Sequence, residues 1–332
     1  MARIGVNPSR GKTSSYHPAQ VTVAVISYIP HLEGYFKHRL DVLKLGLASL
    51  KAHTNVPHDL FVFDNGSCEP VVEYLQGLQS QGEIDCLILS KRNLGKIGAL
   101  EILFNAAPGE MIAYADDDIF FYPGWLEAHL EVLEAFPKVG MVSGVAVRDR
   151  AARASQTLQK LINTEQRDLR ITTERRIPDE WEADWALSTG RDPAQHLAAT
   201  QSDREIVLKK GGVEAIGCAS HFQFVGPKAV FIKALPGEWS GRLMGQMIEL
   251  DETVDELGYL RLSTAERYVR HIGNALSPDI VTEARRFGLE VGESVPAARV
   301  EKHWLLRIPG ARRLLRALYD WTFSILHRAG NG

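Results

Sequence analysis

The chain has 332 residues, of which 45% are hydrophobic, 24% charged and 8% aromatic. This composition excludes a disordered chain, a fibre and a membrane-spanning bundle, and the length allows one large or two fused α/β domains. The 38 basic and 41 acidic residues leave a net charge of −3, which gives no global pull toward nucleic acid.

Three cysteines, Cys68, Cys86 and Cys218, are too few for a disulfide framework and lack metal-site spacing. Residues 1–20 hold no apolar segment of the kind a secretory signal needs, and no run of about 18 uncharged apolar residues occurs. A cytoplasmic protein is the expectation. Charge is uneven, however: residues 299–332 carry seven Lys or Arg against two acids, a net of +5, leaving −8 on the rest.

Residues 1–19 read as a flexible arm without apolar period. Val21–Tyr28 reads as a buried strand from its β-branched run. Residues 34–52 carry Phe36, Leu40, Leu43, Leu47 and Leu50 on one helical stripe. Leu60–Phe63, Ile84–Leu89, Met111–Ala115 and Val139–Val147 follow as strands, and Glu69–Leu78, Gly98–Ala106 and Trp125–Phe136 as helices between them. This alternation predicts a mostly parallel central sheet with helices on both faces. Residues 150–210 read as helices and long loops, a lid or an insertion. Residues 213–234 regain strand character around Ala219-Ser220-His221-Phe222, Glu249–Leu257 is a short acidic helix, and Tyr268–His271 a final strand. Residues 311–328 set Leu314, Leu315, Leu318, Trp321, Ile325 and Leu326 on one stripe of a basic amphipathic helix, suited to a membrane interface, to its own domain or to a homodimer.

In such sheets ligands gather beyond the carboxyl ends of the strands. Asp64-Asn65, Arg92-Asn93 and Asp116-Asp117-Asp118 all fall there. Three adjacent carboxylates repel one another, and at the end of an apolar strand they call for a cation. Alternation along an extended segment lets Asp116 and Asp118 face one Mg2+ or Mn2+ while Asp117 turns aside. The competing reading is a solvated turn.

The pieces VTVAVISY, LFVFDNGS, RNLGKIGALEILFNAAPGEMIAYADDD, FYPGWLE, LDETVDELGY and RHIGN, in this order, resemble a GT-A glycosyltransferase of the family 2 type from about Val21 to Asn274. The resemblance implies a GT-A fold over 20–275, with 20–148 binding the nucleotide, 149–275 facing the acceptor and 276–332 a basic amphipathic extension. It implies an inverting, metal-dependent, non-processive transfer of a sugar from a nucleotide diphosphate, UDP first and GDP or dTDP as alternatives. The acceptor would be a hydroxyl of a glycan, a lipid-linked molecule or a protein, in bacterial glycan or glycolipid synthesis and peripheral to the inner face of the membrane. No Gln-x-x-Arg-Trp motif of processive synthases is present.

Carried over residue by residue, the resemblance makes Asp118 the principal metal ligand. Asp116 touches metal or ribose, and Asp117 is counted with the nucleotide contacts. Asp64, with Asn65 beside it, meets the base; an Asx-turn explains the same residues. Arg92, Asn93 and Lys96, around Gly95 and Gly98, meet base or phosphate. The base that takes the acceptor's proton is Asp251, with Glu252 as alternate, since the order here departs from the family's usual Glu-Asp. His271 completes the metal shell or is structural, and Arg270 or Arg267 contacts the diphosphate. A sugar nucleotidyltransferase is disfavoured, because Ser27-Tyr28-Ile29-Pro30 stands where its Gly-rich loop belongs; a catalytically silent binding protein is the remaining alternative.

Overall fold

The computed structural model describes residues 5–148, 154–164, 168–237 and 246–292. The chain divides into two compact units, 1–295 and 296–332, and every described residue lies in the first. The basic run 299–332 and the amphipathic stretch 311–328 lie outside the described residues.

In chain order the elements are β1 (Val21–Ser27), a 3-10 turn at Gly34–Phe36, α1 (Arg39–His53), β2 (His58–Asp64), α2 (Glu69–Ser80), β3 (Cys86–Leu89), α3 (Gly95–Ala106), β4 (Met111–Asp116), β5 (Ile119–Phe121), α4 (Trp125–Ala135) and β6 (Val139–Ser143). Then come α5 (Gln156–Ile162), β7 (Arg170–Glu174), α6 (Asp179–Ser188), α7 (Pro193–Ala199), β8 (Glu205–Lys210), β9 (Val213–Ile216), β10 (Gln223–Pro227), α8 (Lys228–Ala234), α9 (Met247–Glu256), β11 (Leu260–Thr264), β12 (Val269–His271) and α10 (Pro278–Arg286).

Ten strands form one sheet in the order β3-β2-β1-β4-β10-β6-β11-β9-β8-β7, and β12 pairs with β5 in a separate ribbon. The first four are parallel, as the β-α alternation predicts. Beyond β4 the sheet is mixed: β10 runs antiparallel to β4 and β6, β11 is parallel to β6, and β9, β8 and β7 add antiparallel strands. The segment 150–210 is therefore not merely helices and loops, since β7 and β8 extend the sheet. Residues 219–222 form the connection between β9 and β10 rather than a strand, and β11 is a strand to which the sequence pattern assigns no element.

Side-chain alternation explains the apolar runs. Val23 and Val25 of β1, with Val62 of β2, pack on Leu43, Leu47, Leu75 and Trp125 on one side. Ala24, Ile26, Phe61 and Phe63 pack on Ile97, Leu100, Phe104 and Leu250 on the other. A strand covered on both faces needs apolar residues at every position. In α10, Ile280, Val281 and Ala284 bury against Val42, Leu45 and Phe120, so residues through 286 pack within the body rather than starting a separate extension at 276.

Register sets the strand ends. Ser27 stands opposite Asp64 and Ile26 opposite Asp116, so the carboxyl ends of β1, β2 and β4 form one polar rim.

One histidine behind this rim carries a stability prediction. His129 of α4 is fully buried, with Nδ1 2.6 Å from the Trp125 carbonyl oxygen. Burial lowers its pKa from 6.5 to about 4. Above the unfolded value nothing is lost; below it the unfolded chain binds a proton that the native chain refuses. Stability should fall by roughly 3 kcal/mol on this account as pH drops through that window. Urea unfolding of wild type and His129→Gln at several pH values checks it: the variant should lose most of the slope, and an unchanged slope would refute the assignment.

Candidate active site

The acidic triplet begins on the last residue of β4 and crosses to β5. The expected pairing of Asp116 with Asp118 is not what the partners show: Asp117 and Asp118 share Arg39, and Asp116 is held apart by Lys96. Asp117 turns inward, where it accepts from Ser27 Oγ at 2.8 Å and pairs with the Arg39 guanidinium. Asp116 is gripped by Lys96 Nζ at 2.6 and 2.8 Å and accepts from the Tyr114 hydroxyl. Asp118 Oδ2 accepts from Arg39 Nη1 at 2.7 Å. Arg39 Nη1 also donates to the Gly273 carbonyl at 2.9 Å, which ties α1 to the segment after β12. A solvated turn is thus ruled out: Asp117 is 7% and Asp118 9% exposed.

Two built-in cations against three carboxylates leave one negative charge. It is concentrated at Asp118, whose Oδ1 is buried with no hydrogen-bond partner. Burial opposes ionisation there, but His271, Arg39 and Lys96 outweigh it and hold the Asp118 carboxyl below its ordinary value. Burial pushes Asp117 the other way, upward, against Arg39.

His271 is delivered from 153 positions later by the β5–β12 ribbon, where it pairs with Ile119 and the Ile272 N–H donates to the Asp118 carbonyl at 2.8 Å. Its Nε2 lies 3.5 Å from Asp118 Oδ2 and its Nδ1 3.0 Å from Ser188 Oγ. The Ser188 hydroxyl donates to the Trp185 carbonyl, so Nδ1–H is the donor to Ser188 and Nε2 keeps its lone pair facing Asp118. A lone pair beside a carboxylate that keeps one oxygen unpartnered suits a divalent cation, with Ser188 as the outer group that orients the ring. Among the described residues no cluster of three or more His, Cys, Asp or Glu side chains is assembled for a metal. Gly273 makes the approach of α6 achievable: its φ is +85°, and a Cβ there would sit 2.7 Å from the Ser188 carbonyl oxygen.

Along the rim, Asp64 Oδ2 accepts from the Gly66 and Ser67 amides at 3.2 and 3.0 Å. The Asx-turn therefore exists, yet Asp64 Oδ1 is buried and unpartnered, which leaves an acceptor for a ligand N–H. Asn65 accepts from Leu94 N at 2.8 Å and donates to Asn93 Oδ1 at 3.0 Å, and Asn93 Oδ1 also accepts from Gly95 N at 2.8 Å. Asn65 and Asn93 thus shape the loop ahead of α3. Gly66, at φ +91°, lets that loop close in, since a Cβ would lie 3.1 Å from the Arg92 and Asn93 backbone. Arg92 is exposed at the loop's surface, and Lys96 is committed to Asp116.

Residues 36–186 match the family model described as Glycosyl transferase family 2. The mixed α/β sheet with its flanking helices agrees with that match. No curated protein matches the sequence. Among solved structures, the mannosyltransferase PcManGT from Pyrobaculum calidifontis, in complex with GDP-Man and Mn2+, is 21% identical at a TM-score of 0.33, over 39% of this chain and 36% of that one. S. aureus TarS in complex with UDP is 12% identical at a TM-score of 0.39, over 81% of this chain and 64% of that one. GalNAc-T7 with UDP, GalNAc and Mn2+ is 11% identical at a TM-score of 0.44, over 76% and 44%. The chain spans less than two thirds of the length of each.

Within this domain two sequence-based assignments need correction. Arg270 is not free for a diphosphate: its guanidinium is held by Asp184 at 3.1 Å, Glu283 at 3.0 Å and Asp279. The cause is strand alternation, which sends Arg270 to the side of β12 opposite His271. Arg267 is likewise paired with Asp184, at 2.7 Å. Asp251 is not an open carboxylate. It is 2% exposed, with Oδ2 2.7 Å from His221 Nδ1 and Oδ1 2.8 Å from Arg261 Nη2. Glu252, one residue on, faces solvent from α9.

Sequence reading missed Arg39, Tyr114, Ser188 and His221. Arg39 had one signal, a charge that opens its helix and is buried with the apolar stripe; the others had none, because their roles depend on partners far away in the chain.

Proposed function

We propose that the chain transfers a sugar from a nucleotide-diphosphate donor to an acceptor hydroxyl, by a metal-dependent single displacement that inverts the anomeric carbon. The observation that carries this is the buried Asp118 carboxylate, with Oδ1 unpartnered and Oδ2 3.5 Å from His271 Nε2. Asp118 and His271 would hold the cation. Mn2+ or Mg2+, when bound, supplies the Lewis acidity that neutralises a departing diphosphate. Asp64 Oδ1 accepts an N–H of the base, with uracil first, and guanine or thymine as alternatives. Asp116, fixed by Lys96 and Tyr114, faces the ribose. The acceptor gives up its proton as its oxygen bonds the sugar.

Thermal unfolding with UDP, GDP and dTDP, each with and without Mn2+, tests the reading. A nucleotide at about 100 times its Kd should stabilise by roughly 2.7 kcal/mol, and only with the metal present. Release of free nucleotide from the matching sugar donor separates an enzyme from a silent binding protein. No stabilisation by any of the three with Mn2+ would defeat the proposal.

A further inference from the structure

The interior position of Asp251 directs attention to the imidazole in front of it. His221 belongs to the connection between β9 and β10. The next residue, Phe222, accepts from the Asp116 amide through its carbonyl at 2.8 Å, so His221 stands just beyond the sheet edge where the acidic triplet begins. Its backbone is well anchored. Ser220 N donates to Ser143 Oγ at 3.0 Å, Ser263 Oγ donates to the Cys218 carbonyl at 2.6 Å, and Arg261 Nη2 donates to the Ala219 carbonyl at 2.9 Å.

The side chains form a buried relay with one open end. Arg261 and Asp251 side chains are each 2% exposed, whereas the His221 side chain is 17% exposed. Asp251 Oδ2 lies 2.7 Å from His221 Nδ1. A carboxylate can only accept, so the proton of that bond is on Nδ1, and Nε2 carries a lone pair. Among the described residues Nε2 has no hydrogen-bond partner. Three properties of a general base coincide here: a defined tautomer, a charged group behind the ring to stabilise the imidazolium, and an accessible nitrogen beside the rim.

We infer that His221 is the base that takes the acceptor's proton, and that Asp251 is a positioning residue behind it. The inference rests on the glycosyl-transfer reading above. As the acceptor oxygen bonds the anomeric carbon, its O–H bond breaks and the proton passes to His221 Nε2. The bond from the anomeric carbon to the leaving phosphate oxygen breaks, and its electron pair stays on the diphosphate. Asp251 holds the imidazolium so formed, and Arg261 keeps the Asp251 carboxylate in place.

The test measures nucleotide release from UDP-glucose, UDP-N-acetylglucosamine and GDP-mannose with Mn2+, with water as the acceptor. Wild type, His221→Gln, His221→Ala and Asp251→Asn are compared, and calorimetry measures Mn2+-dependent UDP and GDP binding. In His221→Gln, kcat should fall by about 10²- to 10⁴-fold with nucleotide binding within about twofold of wild type. Asp251→Asn should lower kcat with little change in KM. Added imidazole should restore part of the turnover of His221→Ala, a response that a merely structural histidine does not give. Wild-type turnover in His221→Gln, or loss of nucleotide binding in step with activity in both His221 variants, would overturn the assignment. A wild type that binds nucleotide but turns over none of the three donors would remove the transfer reading itself, and the base with it.

Discussion

Asp118→Asn should lose Mn2+-dependent nucleotide binding and reduce nucleotide release from a sugar donor by roughly 10³-fold, about 4 kcal/mol of transition-state stabilisation. The side chain keeps its size, and an amide oxygen can still accept from Arg39 Nη1, now 2.7 Å from Oδ2. The substitution removes the negative charge beside His271 Nε2, 3.5 Å away, and replaces an unpartnered anionic oxygen with a neutral group. The effect should therefore fall on the ligand and not on the fold. Calorimetry with UDP or GDP and Mn2+ reads the binding, and urea unfolding reads the fold. Equal Mn2+-dependent affinity in variant and wild type would show that the triplet does not hold the cation. Ser188→Ala, which releases the His271 ring without touching a ligand, should weaken metal affinity by about 10- to 100-fold.

The second large effect is on stability. Arg39→Met should destabilise the domain by about 3–5 kcal/mol, because it strands two buried carboxylates. Arg39 is 7% exposed, and it joins Asp117, Asp118 and the Gly273 carbonyl in one contact set. Burial alone would lower the guanidinium pKa; Asp117 and Asp118 raise it instead, so the pair is mutually dependent. Removing the acid along with the base should help: Arg39→Met/Asp117→Asn should recover a large part of the loss, with Ser27 Oγ, 2.8 Å from Asp117 Oδ2, still able to bond the amide. The sign with pH follows from burial, which already raises the Asp117 pKa. A carboxyl whose folded value is raised weakens the native state above that value and ceases to do so below it. The penalty in Arg39→Met should thus shrink as pH falls through the raised Asp117 value. Chemical denaturation at two pH values checks this; a penalty under about 1 kcal/mol at neutral pH would mean that the pair acts as an exposed ion pair.

The parallel half of the domain was legible because its signals are local. β1, β2 and β4 are largely apolar runs that must be covered on both faces, and each ends in a polar residue at the sheet edge. The antiparallel strands were harder to read. β7, β8 and β9 are short, partly exposed and rich in charge, so their pairing depends on neighbours and not on their own pattern. Residues 219–222 show the converse: an apolar, strand-like stretch that is a connection, because hydrogen bonds to Ser143 and Arg261 fix it in another path.

By itself, the sequence determined the parallel β-α alternation of residues 20–148 and the clustering of Asp64, Asn65 and the triplet at one rim, since strand periodicity and strand ends are properties of consecutive residues. Only the tertiary structure decided what each charge meets. Asp117 went to Arg39 and Ser27, Asp116 to Lys96, Arg270 to α10 and α6, and Asp251 to the back of His221. The physical reason is desolvation: a buried charge is stable only beside a partner, and that partner is chosen by which distant elements pack together, which no local spacing records.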